Sequence, residues 1–219
     1  MKRSVILLCL ISIFHFSNAQ TIQFQAGTSF SSLKHLDSYQ NTILSSEILV
    51  AHAFMAGLEY INSHHFNVSS NVGIIRKGGL YKLNMINEWG EPSGFRYDRC
   101  TLDVMTFNTL LEYKYPVKDI LVPFISIGPR VDYLLVYDSF FDIFNEVTTL
   151  SSFNAGVSLG AGIKYQFPGY IIGIRSDYFY NMGTIASWIS DFGPTDLKNY
   201  HSTLNLTFGT QPDFKRKKK

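Results

Sequence analysis

Phe153-Asn154-Ala155-Gly156-Val157-Ser158-Leu159-Gly160-Ala161-Gly162-Ile163-Lys164-Tyr165-Gln166-Phe167 is an alternation without a break. Every odd position is apolar, and every even position is glycine, polar or charged. Side chains alternate between the two faces of a β-strand, so this segment has one greasy face and one small or polar face. A soluble sandwich strand would bury the greasy face and wet the other. A membrane barrel turns the greasy face to lipid and keeps the polar face inside. The run is far longer than the roughly five or six residues of an ordinary soluble strand.

Working outward, the same pattern recurs seven more times. Strand one, 21–33, sets Ile22, Phe24, Ala26 and Phe30 against Gln23, Gln25, Gly27 and Ser29. Strand two, 51–61, sets Phe54, Leu58 and Tyr60 against Met55, Gly57 and Glu59. Strand three, 65–77, opposes Phe66, Val72 and Ile74 to Asn67, Asn71 and Lys77. Strand four, 101–115, opposes Phe107, Leu111, Tyr113 and Tyr115 to Asn108, Glu112 and Lys114, with a bulge expected near 104–106. Strand five, 120–137, places Ile125, Val131 and Tyr137 outward and Arg130 and Asp132 inward. Strand seven, 170–182, places Tyr170, Ile174 and Tyr180 outward and Arg175 and Asp177 inward. Strand eight, 199–209, closes with Leu204, Leu206 and Phe208 against His201, Thr203 and Asn205. An even count suits a closed antiparallel barrel. The chain is therefore expected to be all-β, an eight-stranded antiparallel up-and-down transmembrane β-barrel.

The links between these strands alternate in length. Residues 62–64, 116–119 and the turn dipeptide Pro168-Gly169 are short; 34–50, 78–100, 138–150 and 183–198 are long. In outer-membrane barrels short links are periplasmic turns and long ones are extracellular loops. Aromatic residues gather near strand ends. Tyr60, Phe66, Tyr113, Tyr115, Tyr165, Phe167, Tyr170 and Phe208 lie at the turn side; Phe30, Tyr137, Phe153, Tyr180 and Tyr200 lie nearer the loops. Two such girdles fit the two membrane–water interfaces.

Composition agrees. Aromatic residues make up 15% of the chain and charged residues only 16%, against about 25% charged in soluble domains. Residues 1–19 read as a signal peptide: Lys2 and Arg3, an apolar run from Val5 to Phe14, and a Ser17-Asn18-Ala19 cleavage site. Residues 20–211 form the barrel and 212–219 a basic periplasmic tail. Cleavage removes Cys9 and leaves Cys100 alone, which excludes an intrachain disulfide. It also brings the basic residues level with the 17 acidic ones, five of the former being Lys215–Lys219. A tail of this kind is a solvated end or a contact for anionic lipid. The body lacks a basic stripe, so nucleic acid is not a partner.

Beyond this grammar, the segments Gly73-Ile74-Ile75-Arg76-Lys77-Gly78, Leu110–Tyr115, Ile127-Gly128-Pro129-Arg130-Val131-Asp132-Tyr133, Phe153–Phe167 and Arg175-Ser176-Asp177-Tyr178 give the chain a family likeness. It resembles the PorT-like outer-membrane β-barrels of Gram-negative bacteria, and the resemblance spans nearly all of the mature chain. It implies location in the cell outer membrane. The member that gives the family its name assists a secretion system.

Glu59, Lys77, Glu112, Lys114, Arg130, Asp132, Lys164, Arg175 and Asp177 all fall on inward positions. Eight strands enclose a space that side chains fill, and buried charges need partners. A lumen charge network is therefore expected, centred on Arg130, Asp132, Arg175 and Asp177. No Ser–His–Asp arrangement, metal site or cofactor motif emerges, so the chain reads as no enzyme. The expected partners are outer-membrane lipid and a protein or glycan met by the loops, which carry Trp89, Phe95, Tyr97, Trp188 and Phe192. The alternative is a narrow channel or a transport or secretion component.

Overall fold

A computed structural model describes residues 21–36, 42–117, 120–138, 149–190 and 193–210. The signal and tail segments, most of the 138–150 link, and Phe192 lie outside the described residues, as do the side chains of Trp188 and Pro194. The strands are β1 (Thr21–Leu36), β2 (Thr42–Ser45), β3 (Leu49–Asn62), β4 (Phe66–Ile86), β5 (Pro92–Lys114), β6 (Leu121–Tyr137), β7 (Thr149–Leu150), β8 (Phe153–Phe167), β9 (Tyr170–Asn181), β10 (Ala186–Ser190) and β11 (Gly193–Thr210).

Eight long strands, β1, β3, β4, β5, β6, β8, β9 and β11, are antiparallel neighbours in that order. The last returns to the first from Ile22↔Thr210 to Leu36↔Asp196, which closes the barrel and removes its edges. The three short strands extend this ring without adding staves to it. Pairing of β1 with β3 ends at Ser31↔Leu49, and β2 resumes it at Lys34↔Ser45. Along β11, β10 continues where β9 stops, and β7 pairs with β10 in line with β8.

Alternation is the cause of these strands. In β9 exposed and buried residues alternate from Tyr170 to Tyr180. Outside, Ile125 is 62% exposed and Leu206 64%; large apolar side chains left open on every stave mark a surface made for lipid. Turns finish the staves at one end. Gly169, at φ +87°, occupies a backbone conformation that a residue with a Cβ adopts only with strain. Thr21 and Thr210 lie at this end too. The expected bulge appears as a register shift between Asp103 and Val104 opposite β6. A second shift, between Glu59 and Ile61, leaves Tyr60 as the extra residue, its hydroxyl 3.4 Å from Ser70 Oγ.

The long links differ from expectation. Residues 78–100 are mostly strand: β4 and β5 stay paired from Phe66↔Tyr113 to Ile86↔Pro92, and Asn87–Glu91 make the turn. Residues 186–190 and 193–197 likewise pair as a hairpin, and β1 continues to Leu36 before β2 begins. Backbone pairing outlasts the membrane pattern because a β-ladder needs hydrogen-bond partners and no particular hydrophobic period.

Candidate functional site

The barrel interior is built in layers. Nearest the turns, Lys164 Nζ on β8 donates to Glu59 Oε1 at 2.6 Å and to Glu112 Oε2 at 2.7 Å. Arg175 on β9 donates Nη1 to Glu112 Oε1 at 2.7 Å, Nε to both Asp177 oxygens at 2.8 Å, and Nη2 to Ser126 Oγ at 2.8 Å. Both cations lie against the Phe124 ring. Asn67 adds a bond to Glu112 at 3.0 Å. Gly160 makes room: a Cβ there would stand 2.2 Å from Asp177 Oδ1 and 2.5 Å from Ser126 Oγ. Lys114 stands apart from these ion pairs and donates to Asn62 Oδ1 at 2.5 Å.

Above it is a second cluster. Lys77 pairs with Asp132. Arg130 Nη2 meets the same carboxylate at 3.0 Å, and Thr106 donates to it at 2.8 Å. Arg130 also binds Asn181, reaches His201 Nε2 at 3.3 Å and covers the Phe179 ring. That ring stacks on His201 at 4.3 Å. Arg130 and Asp132 thus belong to one cluster and Arg175 and Asp177 to another, where the sequence suggested a common centre. Arg130 faces Gly156 across β8 and Arg175 faces Gly162. Six residues of the same strand separate those two positions, about 20 Å at the usual rise.

A third layer was not foreseen. Leu33, Tyr81, Cys100, Leu102, Ile185, Ala186 and Leu197 form an apolar cluster at the loop-side mouth. Deeper in, Ala53, Met55, Ile75, Val104 and Phe179 form a second apolar cluster, so the lumen interleaves apolar packing with its ion pairs and is greasy at its mouth. Burial here pushes the Cys100 thiol and the Tyr81 phenol above their ordinary ranges, and His35, bonded to Tyr81 Oη at 2.7 Å, is pushed down. Phe124 and Phe179 were also missed, because an inward aromatic looks in sequence like a lapse in alternation. The strict outward parity of Tyr178 and Tyr180 was the signal that Phe179 points in.

Beyond the mouth, β4 and β5 continue as a two-stranded arm. Its side chains from Lys82 to Ile86 are exposed, and Trp89, Phe95 and Tyr97 are 85%, 62% and 52% exposed. Lys82 Nζ sits 3.9 Å over the Phe95 ring.

The outside completes the geometry. At the turn end Phe66 packs on Tyr113 and Phe167 stacks on Tyr170, with Tyr115, Tyr165 and Phe208 exposed between the turns and the middle of the wall. His64 and His65 touch at the β3–β4 turn. At the loop end Phe153 packs on Tyr133, and Tyr137 and Tyr180 face outward. The first outward charges appear just above: Arg76 and Asp103 pair through two 2.7 Å bonds, and Lys34 lies over the Tyr200 ring. Arg76 is ten residues above the start of β4 and Lys34 thirteen above the start of β1. Tilted strands convert this to roughly 25–33 Å, the height of a bilayer's apolar band with its interfaces. This is a barrel of the outer-membrane kind.

No family model matches the sequence, and no curated relative matches it. Solved structures with a similar fold include Ail, the attachment invasion locus protein of Yersinia pestis, determined with the heparin analogue sucrose octasulfate. It has 13% identity over 89% of this chain and 99% of that one, with a TM-score of 0.43. Neisserial surface protein A follows at 11% identity over 90% and 100% of the chains, TM-score 0.45. The outer membrane protease OmpT from Escherichia coli has 10% identity over 89% and 97%, TM-score 0.41. At these values no activity passes from them to this chain.

Proposed function

We propose that this protein is a closed, non-conducting and non-enzymatic outer-membrane barrel that works by binding, through the β4–β5 arm it holds out at the cell surface. The observation that carries this reading is the sealed interior beneath an exposed aromatic ribbon. Lys164, Arg175 and their carboxylates are at most 4% exposed, and the apolar layer stands between them and the outside. A solute path needs connected water across the lumen, and the ion pairs and the greasy mouth oppose it. The arm offers Trp89, Phe95 and Tyr97 among charges of both signs, Lys82 and Arg99 with Glu88, Glu91 and the Arg96–Asp98 ion pair, a combination that fits a protein surface or a glycan. His201 does not approach Asp177 as a catalytic pair would: it stacks on Phe179 and faces Arg130, while Asp177 is held by Arg175.

The same reading takes 1–19 as an export signal, 20–211 as the barrel and 212–219 as a periplasmic tail. On the Gly73–Gly78 and Ile127–Tyr133 segments it groups the chain with the PorT-like barrels. The experiment has two arms. Purified barrel in planar bilayers is expected to remain silent. Bacteria displaying it are expected to bind an arrayed set of proteins and glycans, and to lose that binding when the arm is trimmed. Discrete conductance steps, or binding indifferent to the arm, would overturn the proposal.

A further inference from the structure

The β4–β5 arm has an open edge. Pairing of β5 with β6 stops at Leu102↔Tyr137, and just beyond it the Thr101 carbonyl accepts from Asp138 N at 3.0 Å. Above Thr101, among the described residues, β5 has no neighbour on the side away from β4. The Thr101 bond fixes which groups point to that side. By the period of two, Arg99, Tyr97 and Phe95 turn their backbone N–H and C=O the same way. Pro92, which has no N–H, and Gly94, at φ +119°, end the usable edge above. The open stretch is therefore Phe95-Arg96-Tyr97-Asp98-Arg99, with Tyr97 at its centre. Such an edge is a template for another strand unless its side chains guard it.

A run of lysines guards an edge because it repels its own copy. Here the charges flanking Tyr97 have opposite signs. Arg96 Nε and Asp98 Oδ1 are 2.6 Å apart on one face of β5. A two-fold axis through Tyr97, perpendicular to the sheet, lays Arg96 of each copy opposite Asp98 of the other and closes a ring of alternating charge. The same axis sets Tyr97 opposite Tyr97. It brings exposed Arg99 opposite Phe95, whose ring already lies 3.9 Å from Lys82 Nζ. The backbone matches as well, because Phe95, Tyr97 and Arg99 all carry outward groups and each facing pair can exchange its bonds. From Lys82 to Arg99 the arm holds three basic and three acidic residues, so two arms meet without net repulsion. The β4 edge lacks this symmetry: an axis through Asn84 would put Lys82 opposite Ile86 and Leu83 opposite Met85.

We infer that the arm binds a second copy of this chain, β5 edge to β5 edge, as an antiparallel pair centred on Tyr97. This rests on the reading of the arm as the binding element and names its partner. The interface is isologous, each copy giving and receiving the same contacts. Tyr97 lies six residues beyond Asp103, whose ion pair with Arg76 stands at the outer interface, or about 20 Å along the strand. Antiparallel arms carry their barrels at opposite ends, so the pairing joins two facing membranes. Neighbours in one membrane hold their arms parallel, and at equal height Arg96 would meet Arg96 and Asp98 would meet Asp98. A single short pairing is weak, and many copies on two cells act together.

Barrels assembled singly into phosphatidylcholine nanodiscs test this by analytical ultracentrifugation. Wild-type discs are expected to sediment as pairs at high protein concentration. D98R and R96D each set like charges on both sides of the axis, and either should weaken pairing roughly tenfold or more. Mixing D98R discs with R96D discs places opposite charges at every facing position again and should restore the pairs. Y97P removes the outward N–H at the axis, leaves the bonds to β4 in place, and should keep discs single in every mixture. Each variant is first verified as folded by its heat-modifiable mobility on gels. Wild-type discs that stay single, either charge variant pairing as well as the wild type, or a mixture that stays single would each overturn the inference. Single wild-type discs that still capture an arrayed protein or glycan through the arm would overturn self-pairing alone and leave the arm's binding role standing; conductance steps would overturn that role instead.

Discussion

Arg175 shows what a single residue contributes to this fold. Its guanidinium is 3% exposed and holds Glu112, Asp177 and Ser126 at once. Replacing it leaves buried Asp177 without its cation and Glu112 with Lys164 alone, a loss of about 3–5 kcal/mol. Urea unfolding of Arg175→Met in lipid vesicles should show that loss. Arg76→Met, which breaks an ion pair 41% exposed on its arginine side, should cost at most about 1 kcal/mol. Equal effects at the two sites would refute the packed network. Each of these charges was legible in the sequence, because its parity along a strand set its face. Their division into two clusters was not, because it depends on the heights of residues on different staves. Gly160 illustrates the same limit: alternation placed it inside, but only the structure shows which side chains occupy the space its missing Cβ leaves.

At the scale of an element, the β4–β5 arm separates two roles of a strand. Below Gly78 the pair walls the lumen; above Lys82 it touches little of the described protein, and its final residues are exposed. Replacing Leu83–Arg96 by an Asn-Gly turn joins Lys82 to Tyr97, which already face one another. The trimmed barrel is expected to fold, with stability within about 0.5 kcal/mol of the wild type. Leu102→Ala, by contrast, opens a cavity in the apolar mouth and should cost about 2–5 kcal/mol. Denaturant titrations of the two variants compare these losses directly. The arm read as a loop because its hydrophobic alternation ends with the membrane, and turn formers punctuate it at Gly78-Gly79 and Gly90. The hydrogen bonds that keep it a ribbon leave no such trace in side-chain chemistry.

At the scale of the molecule, the outward charges set the depth at which the barrel sits. An arginine in place of Leu206, in the middle of the apolar belt, should cost about 2–4 kcal/mol, and one in place of Tyr200, near the interface, about 0–1. Unfolding titrations of L206R and Y200R in phospholipid vesicles measure that gradient, and equal costs would displace the membrane from this position. Fold class, the face of most residues on the membrane strands and the number of staves were present in the sequence, because a period of two records which medium each side chain meets. That record is local, and one residue suffices to write it. Which charge pairs with which, that the mouth is greasy, and that a loop is an arm were decided by tertiary structure alone. They depend on the stagger between strands as the sheet closes, and closure brings together residues that no local pattern relates.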